Sequence, residues 1–227
     1  MTVLAMLKDV AVYPFRGAGP VMLIIGTALC FMPFLAGFAP VIGFMAVVAG
    51  YMYLGAFYLQ VIGQTVSDND EIPDWPSLSN VISDLLLPNI RMAVAGVVAM
   101  VPLIAQAFLT EGAEFALEFD SPAAIPGLAC MAFYLPMALL NAAVYETVAS
   151  VLPHRVFPAI YRCMPSYLIS SSFFFVIMMA EEFVSDWSER VPYVSWLALA
   201  FVSFYFLVIQ GRMIGLIYRR SEQAIVA

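Results

Sequence analysis

Six long, nearly uninterrupted apolar runs constrain what this chain can fold into. A helix needs about 20 mainly apolar residues to cross the hydrocarbon core of a bilayer. The stretches 20–38, 40–66, 90–109, 123–152, 165–184 and 193–217 all reach that length. Barrel strands would instead alternate over about ten residues between turns, and these runs are uniform. The 227 residues are 63% hydrophobic and 11% charged, whereas an ordinary soluble domain is about half apolar and about a quarter charged. The sequence therefore predicts an all-α integral membrane protein, a six-helix bundle forming a single transmembrane domain. Pro33, Pro102 and Pro136 fall inside three of the spans, where proline removes a backbone donor and bends the helix.

The distribution of Lys and Arg predicts orientation. Six spans put both termini on one side, together with 67–89 and 153–164, and that side holds eight of the nine basic residues. Arg190 alone lies on the other side. The expectation is a cell inner membrane protein with both termini cytoplasmic. Acidic residues divide differently, seven inside and eight outside, so most of the net charge of −7 belongs to the outer face. That balance excludes a basic nucleic-acid binder. The N-terminus has no basic region ahead of an apolar one, so the first span is expected to act as its own insertion signal.

Short amphipathic stretches precede the odd-numbered spans, at about 2–12, 77–87 and 155–164. Val3, Met6, Leu7, Val10 and Ala11 share one helical face, as do Leu78, Val81, Ile82, Leu85 and Leu86. Val156, Phe157, Ile160, Tyr161 and Met164 form the third such face. Each is too short to span and suits the headgroup region. An arginine and a proline follow each time, in Tyr13-Pro14-Phe15-Arg16, Pro88-Asn89-Ile90-Arg91 and Arg162-Cys163-Met164-Pro165. The pattern reads as three copies of an interfacial helix plus a transmembrane hairpin.

Tyr13-Pro14-Phe15-Arg16, Gly50-Tyr51 and Ile72-Pro73-Asp74-Trp75 make the chain resemble a prokaryotic multi-pass membrane family known as domain of unknown function 4013. The layout is also similar to the membrane domains of some glycerophosphodiester phosphodiesterases, although no soluble catalytic domain is expected after Arg220. The resemblance implies architecture and no activity.

Polar groups within a bilayer are the first place to look for function. They are Gln60, Gln64, Asn141, Glu146, Gln210 and Arg212, all toward the inner ends of the even spans. Glu146 and Arg212 sit at similar depth, which allows an ion pair. The set reads either as interhelical glue or as a proton or cation relay at an inward-facing cavity. Gly211 and Gly215 form a Gly-x-x-x-Gly pair that predicts close helix packing. The loop around Asp74, Trp75 and Pro76 reads as a span terminator or as a docking site for a cytoplasmic partner.

Two outer acidic sets, Glu111/Glu114/Glu118 and Glu182/Asp186/Glu189, have helical spacing and read as solvated helix ends; no metal site and no cofactor are expected. Cys30, Cys130 and Cys163 read as small packing residues. Enzyme signatures are missing: His154 is the sole histidine, Lys8 the sole lysine, and no phosphate loop or nucleophile elbow occurs. The expected role is non-enzymatic, a scaffold or subunit of a membrane assembly whose partners are the lipid bilayer and other membrane or cytoplasmic proteins. The alternative is a small transporter or channel with an inward-facing polar cavity around Glu146 and Arg212.

Overall fold

The computed structural model describes residues 3–36, 40–111, 124–189 and 194–226. Among them the regular structure is helical throughout. The elements are α1 (Val3–Val12), a tight turn Tyr13–Phe15, α2 (Gly19–Ala36), α3 (Pro40–Val66), α4 (Leu87–Glu111), α5 (Ile125–Tyr145), a second tight turn Val148–Val151, α6 (Pro153–Arg162), α7 (Met164–Glu189) and α8 (Val194–Val226). Among the described residues four helices are long and apolar enough to cross a membrane, or up to six if each of two bent pairs counts as one span. Large apolar side chains such as Val41, Ile42, Phe44, Val97 and Phe183 stand exposed on the outside of the bundle, the reverse of what water would select. The chain is an all-α membrane protein.

α8 runs through the middle of the bundle and packs on α2, α3 and α7, while α4 and α5 form a hairpin against α3 and α7. Gly211 and Gly215 face α3: a methyl group on Gly215 would fall 2.5 Å from Thr65 Cβ, and one on Gly211 3.0 Å from Val61. Missing side chains therefore bring two backbones within one chain together. Pro33, Pro102 and Pro136 lie inside α2, α4 and α5. Cys30 and Cys163 are partly buried, but Cys130 faces outward on α5 and is no packing residue.

Two of the three amphipathic stretches form separate short helices. The axis turns by 76° between Leu4–Phe15 and Gly19–Pro33, and by 112° between Pro153–Arg162 and Tyr167–Glu181. Each buries only part of the face anticipated from spacing. Met6 and Val10 of α1 pack against α8, and Val156 and Ile160 of α6 enter the main core, while Leu4, Leu7, Phe157 and Tyr161 point outward.

The middle stretch departs from the pattern, because residues 77–87 make no separate interfacial helix. Ser77 Oγ accepts from the Ser79 amide at 3.0 Å, and Asn80 Oδ1 from the Ser83 amide at 3.4 Å. The first bond holds 77–79 in a local turn, and the second caps the helix start, where the Asp84 amide donates to Asn80 O at 2.9 Å. A π-helical turn at Ile82–Leu86 then runs directly into α4, with the Leu87 amide donating to Ile82 O. Pro88 follows at once. It has no N–H, and its ring would clash with a carbonyl one α-turn back, so the wider turn accommodates it. The threefold layout is complete in the first and third units only.

Candidate functional site

α1, the segment after α3 and α8 meet at one end of the bundle, the proximal end. At this proximal end Arg212 of α8 is enclosed, with only 1% of its surface accessible. Its Nε and Nη2 donate to Asp9 Oδ2 at 3.2 and 3.1 Å. Nη2 also donates to Asp70 Oδ1 at 2.5 Å, and Nη1 donates to the Asn69 carbonyl at 3.2 Å. The guanidinium lies 4.5 Å from the centroid of the Tyr13 ring, close enough for cation–π attraction.

The bonds continue outward from that centre. Arg16 pairs with the other Asp9 oxygen at 2.5 Å. Arg219 pairs with Asp68, and with Asp70 at 3.5 Å. Tyr13 donates its hydroxyl to Glu71 O at 2.9 Å. Three arginines and three aspartates thus clasp α1, the loop after α3 and α8. Burial raises the Asp9 pKa, but hydrogen bonds and charge from Arg16 and Arg212 outweigh it, so the carboxyl is held below its ordinary 3.8. Burial pushes the Tyr13 phenol up to about 12, against the pull of Arg212.

The expected Glu146–Arg212 pair does not form. α5 stops at Tyr145, and Glu146 sits beyond it in the left-handed region with φ 53°, exposed. The anticipated span 123–152 is therefore shorter. Its last residues form the tight turn Val148–Val151, which folds back on α5. Asn141 holds that turn: its Nδ2 donates to Ser150 O at 3.0 Å, and Ser150 Oγ donates to Asn141 O at 3.1 Å. Tyr134 adds a bond from its hydroxyl to Val151 O at 2.5 Å. Arg91, 8% exposed, reaches across from α4 and donates to the Ala142 carbonyl at 2.8 Å. A cation at the C-terminal carbonyls of a helix complements its dipole.

The remaining polar residues separate into two cavities. Gln60, Gln64 and Glu146 line a groove of about 850 Å³ at the proximal end, together with Asp74, Trp75 and Arg91. Gln64 Oε1 accepts from Asn69 Nδ2 at 3.2 Å, while Gln60 Oε1 is buried without a hydrogen-bond partner. Of the loop residues, Asp74 is exposed and Pro76 buried. Trp75 turns inward and stacks on Phe57 at 4.6 Å between ring centroids and on Phe204 at 6.1 Å. The loop is thereby anchored to the bundle, and only part of it is open to a partner.

Gln210 lines a different, central cavity of about 880 Å³ with Tyr58, Ser203 and Glu181. Glu181, Asp9 and Asp70 fall in none of the sets that spacing or depth picks out. A guanidinium inside an apolar run, which must find a carboxylate, was the signal for the aspartates. Of the outer acidic sets, the side chains of Glu111, Glu182, Asp186 and Glu189, and all of Glu114 and Glu118, lie outside the described residues.

Comparisons of the chain with family models, with curated proteins and with solved structures find no match.

Proposed function

We propose that this chain is a non-enzymatic multi-pass protein of the cell inner membrane, with both termini cytoplasmic, acting as a scaffold or subunit of a larger membrane assembly. The observation that carries this reading is the enclosure of Arg212. A charge that shuttles ions or gates a path must change partners, and here Nε, Nη1 and Nη2 all donate to Asp9, Asp70 or Asn69. The guanidinium serves as glue that makes the proximal end a fixed platform. The transporter alternative loses support because Glu146 lies in the open groove and Arg212 in the clasp. Arg16, Arg91, Arg212 and Arg219 all belong to this end, which supports placing it on the cytoplasmic side.

The platform offers exposed Asp74 and Glu146 at the rim of the groove. Affinity purification in mild detergent, with mass spectrometry, tests the proposal. A partner should co-purify in fixed stoichiometry and be lost on the paired change Asp74→Ala and Glu146→Ala, with the bundle still folded. A chain that runs alone by native mass spectrometry would sink the scaffold reading. A reporter fused after residue 227 tests the orientation, which fails if the reporter proves periplasmic.

A further inference from the structure

The central cavity is walled by all six long helices, from Cys30 of α2, Tyr58 of α3 and Asn89 of α4 to Leu139 of α5, Glu181 of α7 and Gln210 of α8. Its volume, about 880 Å³, lies in the range of small-molecule sites, roughly 300–1,000 Å³. Most of the wall is apolar. Besides Asn89 and Ser203, three polar groups break that wall. Among the described residues the Glu181 carboxylate forms no hydrogen bond or ion pair, and no lining residue is basic. Tyr58 is 5% exposed, yet its hydroxyl is buried with no hydrogen-bond partner. Gln210 is 9% exposed, and its amide adds another acceptor to the cavity.

A half-buried, unpaired carboxylate among apolar helices is costly unless something compensates its charge. A hydrated inorganic ion is a poor match. Calcium takes six to eight oxygen ligands and magnesium a rigid octahedron, while this site offers one carboxylate in a wide, open, mostly apolar cleft. An ion with its own apolar body satisfies both the charge and the walls. Aromatic faces such as Tyr58 and Phe174 add cation–π attraction. We propose that the central cavity is a binding site for an amphipathic organic monocation, with Glu181 as counter-charge and Tyr58 and Gln210 as orienting groups. The site goes beyond the scaffold role and concerns a different part of the molecule from the proximal platform.

The test is equilibrium binding of tritiated tetraphenylphosphonium to the full chain in lipid nanodiscs, with phenethylammonium and neutral 2-phenylethanol as competitors. Saturable binding at one site per chain is expected, displaced by phenethylammonium and not by the alcohol. Glu181→Gln should weaken it about tenfold or more, as loss of a desolvated counter-charge does. Tyr58→Phe should weaken competition by phenethylammonium about threefold, the scale of one hydrogen bond from its ammonium, and leave tetraphenylphosphonium, which has no donor, little changed. Glu146→Gln, in the other cavity, should leave it unchanged.

A second measurement needs no variant. Tetraphenylphosphonium should protect Glu181 of the natural chain from dicyclohexylcarbodiimide, read by peptide mass spectrometry. Absence of saturable binding, equal displacement by the alcohol, indifference to Glu181→Gln in a folded protein, or unprotected labelling each overturns the proposal. Equal displacement would instead identify the chamber as a lipid-chain pocket.

Discussion

Arg212 on the last helix meets Asp9 on the first across 203 residues of chain, through Nε and Nη2 on one carboxylate oxygen. That contact closes the proximal end, so its loss should be felt by the whole bundle. Arg212→Met removes four hydrogen bonds of a buried guanidinium, while Arg16 still pairs with Asp9 and Arg219 with Asp70, so the change should cost about 2–3 kcal/mol. Arg212→Lys should recover only part of this, because an ammonium cannot reproduce the fork of a guanidinium. Asp70→Asn should cost under about 1 kcal/mol, because the Asp70 side chain is 63% exposed. Urea unfolding in mild detergent, followed by far-UV circular dichroism, checks the order of the three variants.

Acid should loosen the same clasp. The folded-state pKa of Asp9 lies below the ordinary 3.8, so ionised Asp9 favours the folded state over the unfolded one. Its contribution is fully present above 3.8 and fades as pH falls from there through the folded value. Asp9→Asn should be less stable than the natural chain at neutral pH. The difference should shrink once the pH drops below 3.8. A gap that stays constant across that window would remove Asp9 titration as its source.

The spans were legible because bilayer thickness imposes a length that apolar runs display directly. Pro33, Pro102 and Pro136 were legible for the same reason, as they interrupt hydropathy very little. The end of α5 was not. Val148, Ala149, Val151 and Leu152 are as apolar as the helix before them, so hydropathy carries through a turn that only the backbone at Glu146 reveals. Periodicity compares residues on one element, so it could rank Arg212 as buried without saying what pairs with it. Asp9 and Asp70 lie 203 and 142 residues away in the chain. The loop around Trp75 reads as a span terminator or a docking site, and nothing in its local sequence announces that the ring stacks on Phe57.

Glu146 gives a prediction opposite in sign to a functional carboxylate. Its φ of 53° places a side chain where a Cβ is disfavoured, and glycine is the usual residue just past a helix end. Glu146→Gly should raise stability by about 0.5–1 kcal/mol despite the greater freedom of glycine in the unfolded chain. Glu146→Ala keeps the Cβ and should gain nothing. Apparent melting temperature in detergent distinguishes them, and a loss on the glycine change would mean that the carboxylate holds something in place.

The crossing of α8 over α3 is tested by two glycines with opposite surroundings. A methyl group on Gly215 would sit 2.5 Å from Thr65 Cβ and 3.1 Å from the Ile62 carbonyl, and neither can yield easily. Thr65 is fully buried with its hydroxyl bonded to Val61 O at 2.7 Å, and the carbonyl belongs to the α3 backbone. Gly215→Ala should therefore push the helices apart and cost about 1–3 kcal/mol, the usual range for overpacking. Adding Thr65→Ser removes one of the clashing carbons and should recover part of the loss. Gly96 on α4 has nothing within 4 Å of an added methyl. There Gly96→Ala should stabilise the chain by about 0.5–1 kcal/mol, the helix-interior difference between the two residues. Opposite signs from the same chemical change, read in one unfolding assay, would tie the effect to the α3–α8 contact, since helix propensity alone would stabilise both variants.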